Sequence, residues 1–223
     1  MTAAYSNAVL VAVLPHVSDF AKKLDLPLPQ PITAQMVKEF RPNPYKDYIG
    51  GGIFFSNCLF AFENGTVDNF RSADNVFYDD DPAANINKYI GKDNMTTNQA
   101  IALGRDALQK LGYDPKVLAC DVSPRSFYGP QDLKDGKHIP YCKIQWERYA
   151  EAEVTSRAMQ TNNDIVTIEI NMEKKTIVGL HFTSRKIWRD PPQVDVEPVM
   201  ESDVKKHKFG PMFKKTNAPP MPR

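Results

Sequence analysis

Three things are scarce in this chain, and each scarcity removes a class of function. Cysteine occurs three times in 223 residues, at Cys58, Cys120 and Cys142, and never as C-x-x-C. A disulfide-stapled scaffold and a cysteine zinc or redox motif are therefore not expected. Charge of one sign is also missing: 28 Lys+Arg stand against 27 Asp+Glu, a formal net charge of +1. Phosphate-backbone binding needs a basic footprint that this balance does not provide, so nucleic acid is not expected as a partner. Long apolar runs are lacking as well. Mean hydropathy is −0.45, and Ser18 and Asp19 interrupt the first apolar stretch before it reaches membrane-spanning length.

Catalytic signatures are equally thin. No G-x-S-x-G, G-x-x-x-x-G-K-[ST] or G-x-G-x-x-G occurs, and Gly50-Gly51-Gly52 precedes a strand rather than opening a helix. His16, His138, His181 and His207 are dispersed, without partners at metal-ligand spacing. Asp79-Asp80-Asp81 suggests calcium, but Pro82 follows and the EF-hand glycine and glutamate are absent, so Asp81 reads better as a helix cap. Glu147 and Glu151 flank Trp146 and Tyr149, the one pattern that points to a sugar site and a hydrolase. No catalytic, cofactor or metal residues are assigned.

What the chain does contain is patterned structure. Val9, Val13, Val17, Phe20 and Leu24 recur at three- and four-residue steps, predicting a helix over about 5–24, kinked or restarted at Pro15. The apolar start has no basic residue before Lys22, so it does not read as a secretory signal. After LPLPQP, Thr33 is placed to cap a short helix through Phe40, ahead of Pro42 and Pro44. A β-rich run from Gly51 to Phe62 leads to Asn64-Gly65, a type I′ hairpin signal. Read as one strand, it sets Ile53, Phe55, Leu59 and Ala61 on one face and Phe54, Cys58, Phe60 and Phe62 on the other, so it should be covered on both sides. Phe54, Phe60 and Phe62, with Phe55 and Phe70, either build the core or line a groove.

A short helix is expected within 79–95. Thr96 and Gln99 then have capping-box spacing, Ala100, Ile101, Gly104, Ala107, Leu108 and Leu111 form one stripe, and Gly112 offers a left-handed stop. The small residues on that stripe imply close approach to a sheet. Strands are expected at about 116–122, 139–149, 164–171 and 176–184. Val166, Ile168 and Ile170 point inward and Thr167 and Glu169 outward, giving a hairpin with one wet face. Cys120 and Cys142 fall in successive strands and either bridge or stay as small buried hydrophobes. Each half thus offers a helix and then a hairpin, turning at Asn64-Gly65 and at Glu173-Lys174, an element order that suggests internal duplication. From Arg189 onward there are seven prolines, acidic residues first and basic ones last, with Phe209, Met212 and Phe213 as anchors if the tail lies along the body as an extended arm.

The stretch MTTNQAIALGRDALQKLGY, followed by strands and VTIEINMEKKTIVGL, resembles the PepSY-type domain over residues 96–184. Val166 to Ile177 approximates that family's last hairpin, with Lys174 or Lys175 where a glycine is usual. The whole chain, from SNAVLVAVLP and KKLDLPLPQP onward, is similar to a group of uncharacterised secreted bacterial proteins. The resemblance implies an extracytoplasmic, non-catalytic module, its signal peptide already removed, that binds or restrains an envelope protein, in some members a protease. The expectation is an α+β fold, an antiparallel sheet with helices packed on one side, in two similar helix-plus-hairpin units (PepSY-like or cystatin-like). Its divisions are an N-terminal helix and first unit at 1–95, a PepSY-like unit at 96–188 and a proline-rich tail at 189–223.

Overall fold

The computed structural model describes residues 3–42, 50–63, 66–113, 124–147 and 165–182. The periodic N-terminal stretch forms α1 (Ala3–Lys23), which buries Val9, Val13, Val17 and Phe20 along one side, with Leu24 buried just past its end. Lys22 and Lys23 occupy its last turn, where the helix dipole favours cations. The helix runs through Pro15 without restarting; the proline sits on the solvent side, where water can satisfy the freed carbonyl.

Strands β1 (Glu39–Pro42), β2 (Gly50–Phe54), β3 (Cys58–Glu63) and β4 (Thr66–Ser72) follow. Then come α2 (Thr97–Lys110), β5 (Ser126–Tyr128), a two-stranded ribbon of β6 (Gln131–Asp132) and β7 (His138–Ile139), and β8 (Tyr141–Glu147), β9 (Ile165–Asn171) and β10 (Thr176–Phe182). Eight of these strands make one antiparallel sheet in the order β1-β2-β3-β4-β10-β9-β8-β5. The fold is α+β. Among the described residues each half of the chain gives a helix and four strands of this sheet, and the halves meet where β4 pairs with β10.

The register explains the core. Phe40, Ile53, Phe60, Phe70, Leu180, Ile168, Ile144 and Phe127 occupy directly paired positions across all eight strands. Both helices pack on this apolar row, joining it in one cluster. Phe20 of α1 meets Phe60 edge-on at 6.0 Å and Phe70 at 6.5 Å. On α2, Ala100, Gly104, Ala107 and Leu108 are buried, as the small-residue stripe predicts. A Cβ on Gly104 would lie 2.7 Å from the Trp146 ring, so only glycine lets the helix come this close.

Helix α2 starts where its cap dictates. Thr96 Oγ1 accepts from Gln99 N at 3.3 Å, and Gln99 Oε1 accepts from Thr96 N at 2.8 Å. Gly112 ends it with φ +87°. Thr96→Ala is expected to lower stability by about 1 kcal/mol in urea unfolding, with Thr96→Ser close to wild type. An unchanged midpoint in the alanine variant would show that the cap contributes nothing.

Several sequence expectations need correction. The helix expected from Thr33 through Phe40 is a single 3-10 turn, Ala34–Met36. The backbone is biased to extended geometry ahead of Pro42, Lys38 N donates to Phe54 O at 2.8 Å, and Phe40 stacks on Phe62 at 6.1 Å, so residues 39–42 join the sheet. The run read as one strand before Asn64-Gly65 is two, β2 and β3, folded at Phe55–Asn57. That turn shifts the alternation: Ile53, Phe55, Phe60 and Phe62 are buried together, while Phe54, Leu59 and Ala61 lie half-buried on the other face. The helix expected within 79–95 reduces to a 3-10 turn at Ile86–Lys88. Asp79 accepts from Asn85 Nδ2 and Tyr89 Oη, and Asp81 Oδ1 accepts from Ala84 N, side-chain bonds that favour turns over helix. Residues 64–65, the segments 114–123 and 148–164 and the tail from 183 lie outside the described residues, and with them Cys120, Tyr149, Glu151, His207 and the three tail anchors.

Candidate functional site

The largest correction concerns the face of β9 expected to be wet. Thr167, Glu169 and Asn171 are 5%, 1% and 2% exposed. The sheet has a second covered face. Over part of it, Val76, Phe77, Ile86 and Tyr89 from the segment after β4 pack with Leu133, Ile139, Tyr141 and Val178. Alternation in the sequence reports polarity, and here polar side chains are buried against each other.

Two polar rows cross this face at strand spacing. In the first, Asn69, His181, Thr167, Gln145 and Ser126 stand at paired positions on β4, β10, β9, β8 and β5. Ser126 Oγ donates to Gln145 Oε1 at 2.7 Å, and Gln145 Nε2 to Thr167 Oγ1 at 3.3 Å. Arg71 Nε donates to Asn69 Oδ1 at 3.3 Å, so the Asn69 amide nitrogen faces His181 Nδ1, 3.2 Å away. His181 Nδ1 is therefore the acceptor, and in the neutral ring the proton sits on Nε2. Burial holds the His181 pKa below its ordinary value, against the opposing pull of Asp68.

The second row is Arg71, Gly179, Glu169, Lys143 and Tyr128. Gly179 leaves a gap between Arg71 and Glu169, and the side chain of Asn75 fills it. Asn75 Nδ2 donates to Glu169 Oε2 at 2.7 Å and to Val178 O at 3.2 Å, while its Oδ1 accepts from Phe77 N at 3.1 Å. Glu169 Oε1 lies 3.2 Å from Lys143 Nζ, an ion pair with one end buried and the other part-exposed. Lys143 Nζ also lies 5.6 Å from the Phe77 ring, and the Arg71 guanidinium stacks 4.0 Å over Tyr78. The site thus has a neutral imidazole, a compensated carboxylate and two part-shielded cations. It can offer hydrogen bonds along a straight row of about five strands at roughly 4.8 Å spacing.

The residues singled out from the sequence fall elsewhere. Phe60, Phe62 and Trp146 are core residues beneath the helices, and Phe54 is half-buried under the Arg41 guanidinium, 4.5 Å away. Trp146, 1% exposed against α2, cannot serve as a sugar platform, which removes the anchor of the paired-carboxylate idea. Cys142 is buried on the helix-side face of β8 within the apolar core, a surrounding that suits a neutral thiol, and Cys120, the partner considered for it, lies outside the described residues. Burial pushes the thiols of both Cys58 and Cys142 up to about 12, far from nucleophilic range. Among the described residues no group of three metal-ligating side chains converges, and no helix is long and apolar enough to cross a membrane.

Glu169, Asn75, Lys143, Asn69 and Arg71 were not identified from sequence. One signal was present: Gly179, inside the apolar strand TIVGLHF, where an interior glycine marks close approach of another group. No family model, no curated protein and no solved structure matches the chain.

Proposed function

We propose that the chain is a non-enzymatic binding module, extracytoplasmic and PepSY-like in kind, that engages an envelope protein, a protease in the strongest form of the reading. The observation that carries it is the half-buried row Asn69, His181, Gln145 and Ser126: hydrogen-bonding side chains preset by one another and by the sheet, on a face whose carboxylate is already compensated. A partner meeting such a row pays little to order it. Both described thiols are held protonated and Glu169 is spent on Asn75 and Lys143, which favours recognition over chemistry.

The same reading treats the two halves as duplicated units. Support comes from the parallel order of elements, helix then four strands, with the final hairpins β3–β4 and β9–β10 in matching places and their last strands paired to each other.

The test is titration of purified envelope proteases with the full chain, read as inhibition and by calorimetry. Binding in the range up to tens of micromolar is expected, weakened at least about tenfold by the double variant Asn69→Ala/Gln145→Ala, one decade being 1.4 kcal/mol. A folded protein that neither binds nor inhibits any of them sinks the protease form of the reading.

A further inference from the structure

The cover over the second face is made of two chain segments, and the side chains of His138 and Lys137 reach from one to the other. Residues 73–95 bring Val76, Phe77, Ile86 and Tyr89; residues 129–141 bring Leu133, Ile139 and Tyr141. Beneath them lie Asn75 and Glu169, 2% and 1% exposed. His138 of β7 sits at the seam. Its Nδ1 lies 2.7 Å from Asp132 Oδ1 on β6, and its Nε2 lies 3.0 Å from Asp93 Oδ1 on the approach to α2. One backbone bond crosses the same seam, Gly91 N donating to His138 O at 3.0 Å, and within the ribbon beside it Leu133 N donates to Lys137 O at 2.7 Å.

A neutral imidazole has one N–H. It can donate to one of these carboxylates, and its other nitrogen then turns a lone pair towards the second. Only the imidazolium meets both carboxylates with positive charge, through the hydrogen bond of Nδ1 to Asp132 and the ion pair of Nε2 with Asp93. We propose that His138 is a proton-operated clasp that holds the two covering segments together over the Asn75–Glu169 pair, closed when the ring carries both protons and loosened when it loses one.

The other charges at the seam do not take over this task. Lys137 is engaged with Asp135 at 3.0 Å and with Asn87 Oδ1 at 3.3 Å. On the β9–β10 turn, Glu173 Oε1 accepts from Lys92 N at 3.4 Å. Lys134 is exposed on the ribbon turn, and the Cys142 thiol, from β8, stays protonated. The Asp93 carboxylate, and then Asp132, hold the His138 pKa above its ordinary value of 6.5. With a raised folded pKa, the clasp contributes fully below pH 6.5 and is lost as pH rises through that raised value.

Hydrogen exchange on the full chain, corrected for intrinsic rates, tests this between about pH 6 and pH 9, a span that starts near the ordinary histidine value and extends above it. In the wild type, protection of the Gly91 and Leu133 amides should fall about tenfold or more over that range, while Ile144 and Ile168 in the sheet centre hold theirs. In His138→Gln the dependence should vanish. The His138 ring, followed by NMR, should titrate above 6.5 in the wild type and lower in Asp93→Asn. Flat protection in the wild type overturns the clasp, as does a pH-dependent loss that persists in His138→Gln. Should that variant not fold, an unmoved ring titration in Asp93→Asn overturns it equally.

Discussion

Alanine at position 179 should cost roughly 3–5 kcal/mol, the scale of breaking a buried ion pair by displacing one partner. On local grounds the change ought to help, since glycine inside a strand is worth about 0.5–1 kcal/mol less than alanine. Packing reverses the sign. A Cβ on Gly179 would stand 2.1 Å from Glu169 Oε2 and 2.5 Å from Asn75 Nδ2, and neither has room to retreat. Glu169 must then give up its 2.7 Å bond to Asn75 or its 3.2 Å pair with Lys143. At about 2–4 °C per kcal/mol for a chain of this size, the melting temperature should drop by roughly 6–20 °C. Removing the carboxylate as well should recover part of the loss, because Lys143 can turn its amine to water while a stranded Glu169 cannot. A melting curve equal to wild type in Gly179→Ala would mean that the face is not packed as described.

Trp146→Ala should be as costly, about 3–5 kcal/mol, through the cavity left beneath α2. Its neighbour provides an internal control. In the wild type, Gly104→Ala forces a methyl to within 2.7 Å of the indole and should destabilise by about 1–3 kcal/mol, offset in part by helix propensity. In the Trp146→Ala background the same methyl enters the cavity, and Gly104→Ala should stabilise by up to about 1 kcal/mol. Denaturant unfolding of the four proteins measures the coupling. If Gly104→Ala has the same effect in both backgrounds, helix α2 does not rest on Trp146.

The elements legible in the sequence were those written in local chemistry. Thr96 and Gln99 announced a helix start, Gly112 its end, and the steps from Val9 to Leu24 the face of α1, because caps and helical periodicity depend on residues a few positions apart. The second cover was not legible. Glu169 sits in perfect alternation with Ile168 and Ile170, and alternation cannot distinguish a carboxylate facing water from one facing Asn75, 94 positions away. The β2–β3 turn was hidden for a related reason: Phe55-Ser56-Asn57 interrupts an aromatic run without glycine or proline, so one long strand and two short ones share the same composition. The candidate site was missed because it is made of pairings between distant strands, for which Gly179 alone left a local trace.

The place of β10 has a consequence for how the protein is made. This last strand of the sheet lies at its middle, between β4 and β9, and His181 is 112 positions from its neighbour Asn69. During synthesis β4, which carries Phe70, therefore presents an open edge until residues 176–182 leave the ribosome. At about 5–20 residues per second the exposure lasts on the order of 5–20 seconds. A chain stalled or cut between β4 and β10 is a fragment with an unpaired strand ready to pair with another copy, so truncation products should aggregate rather than accumulate as a soluble half.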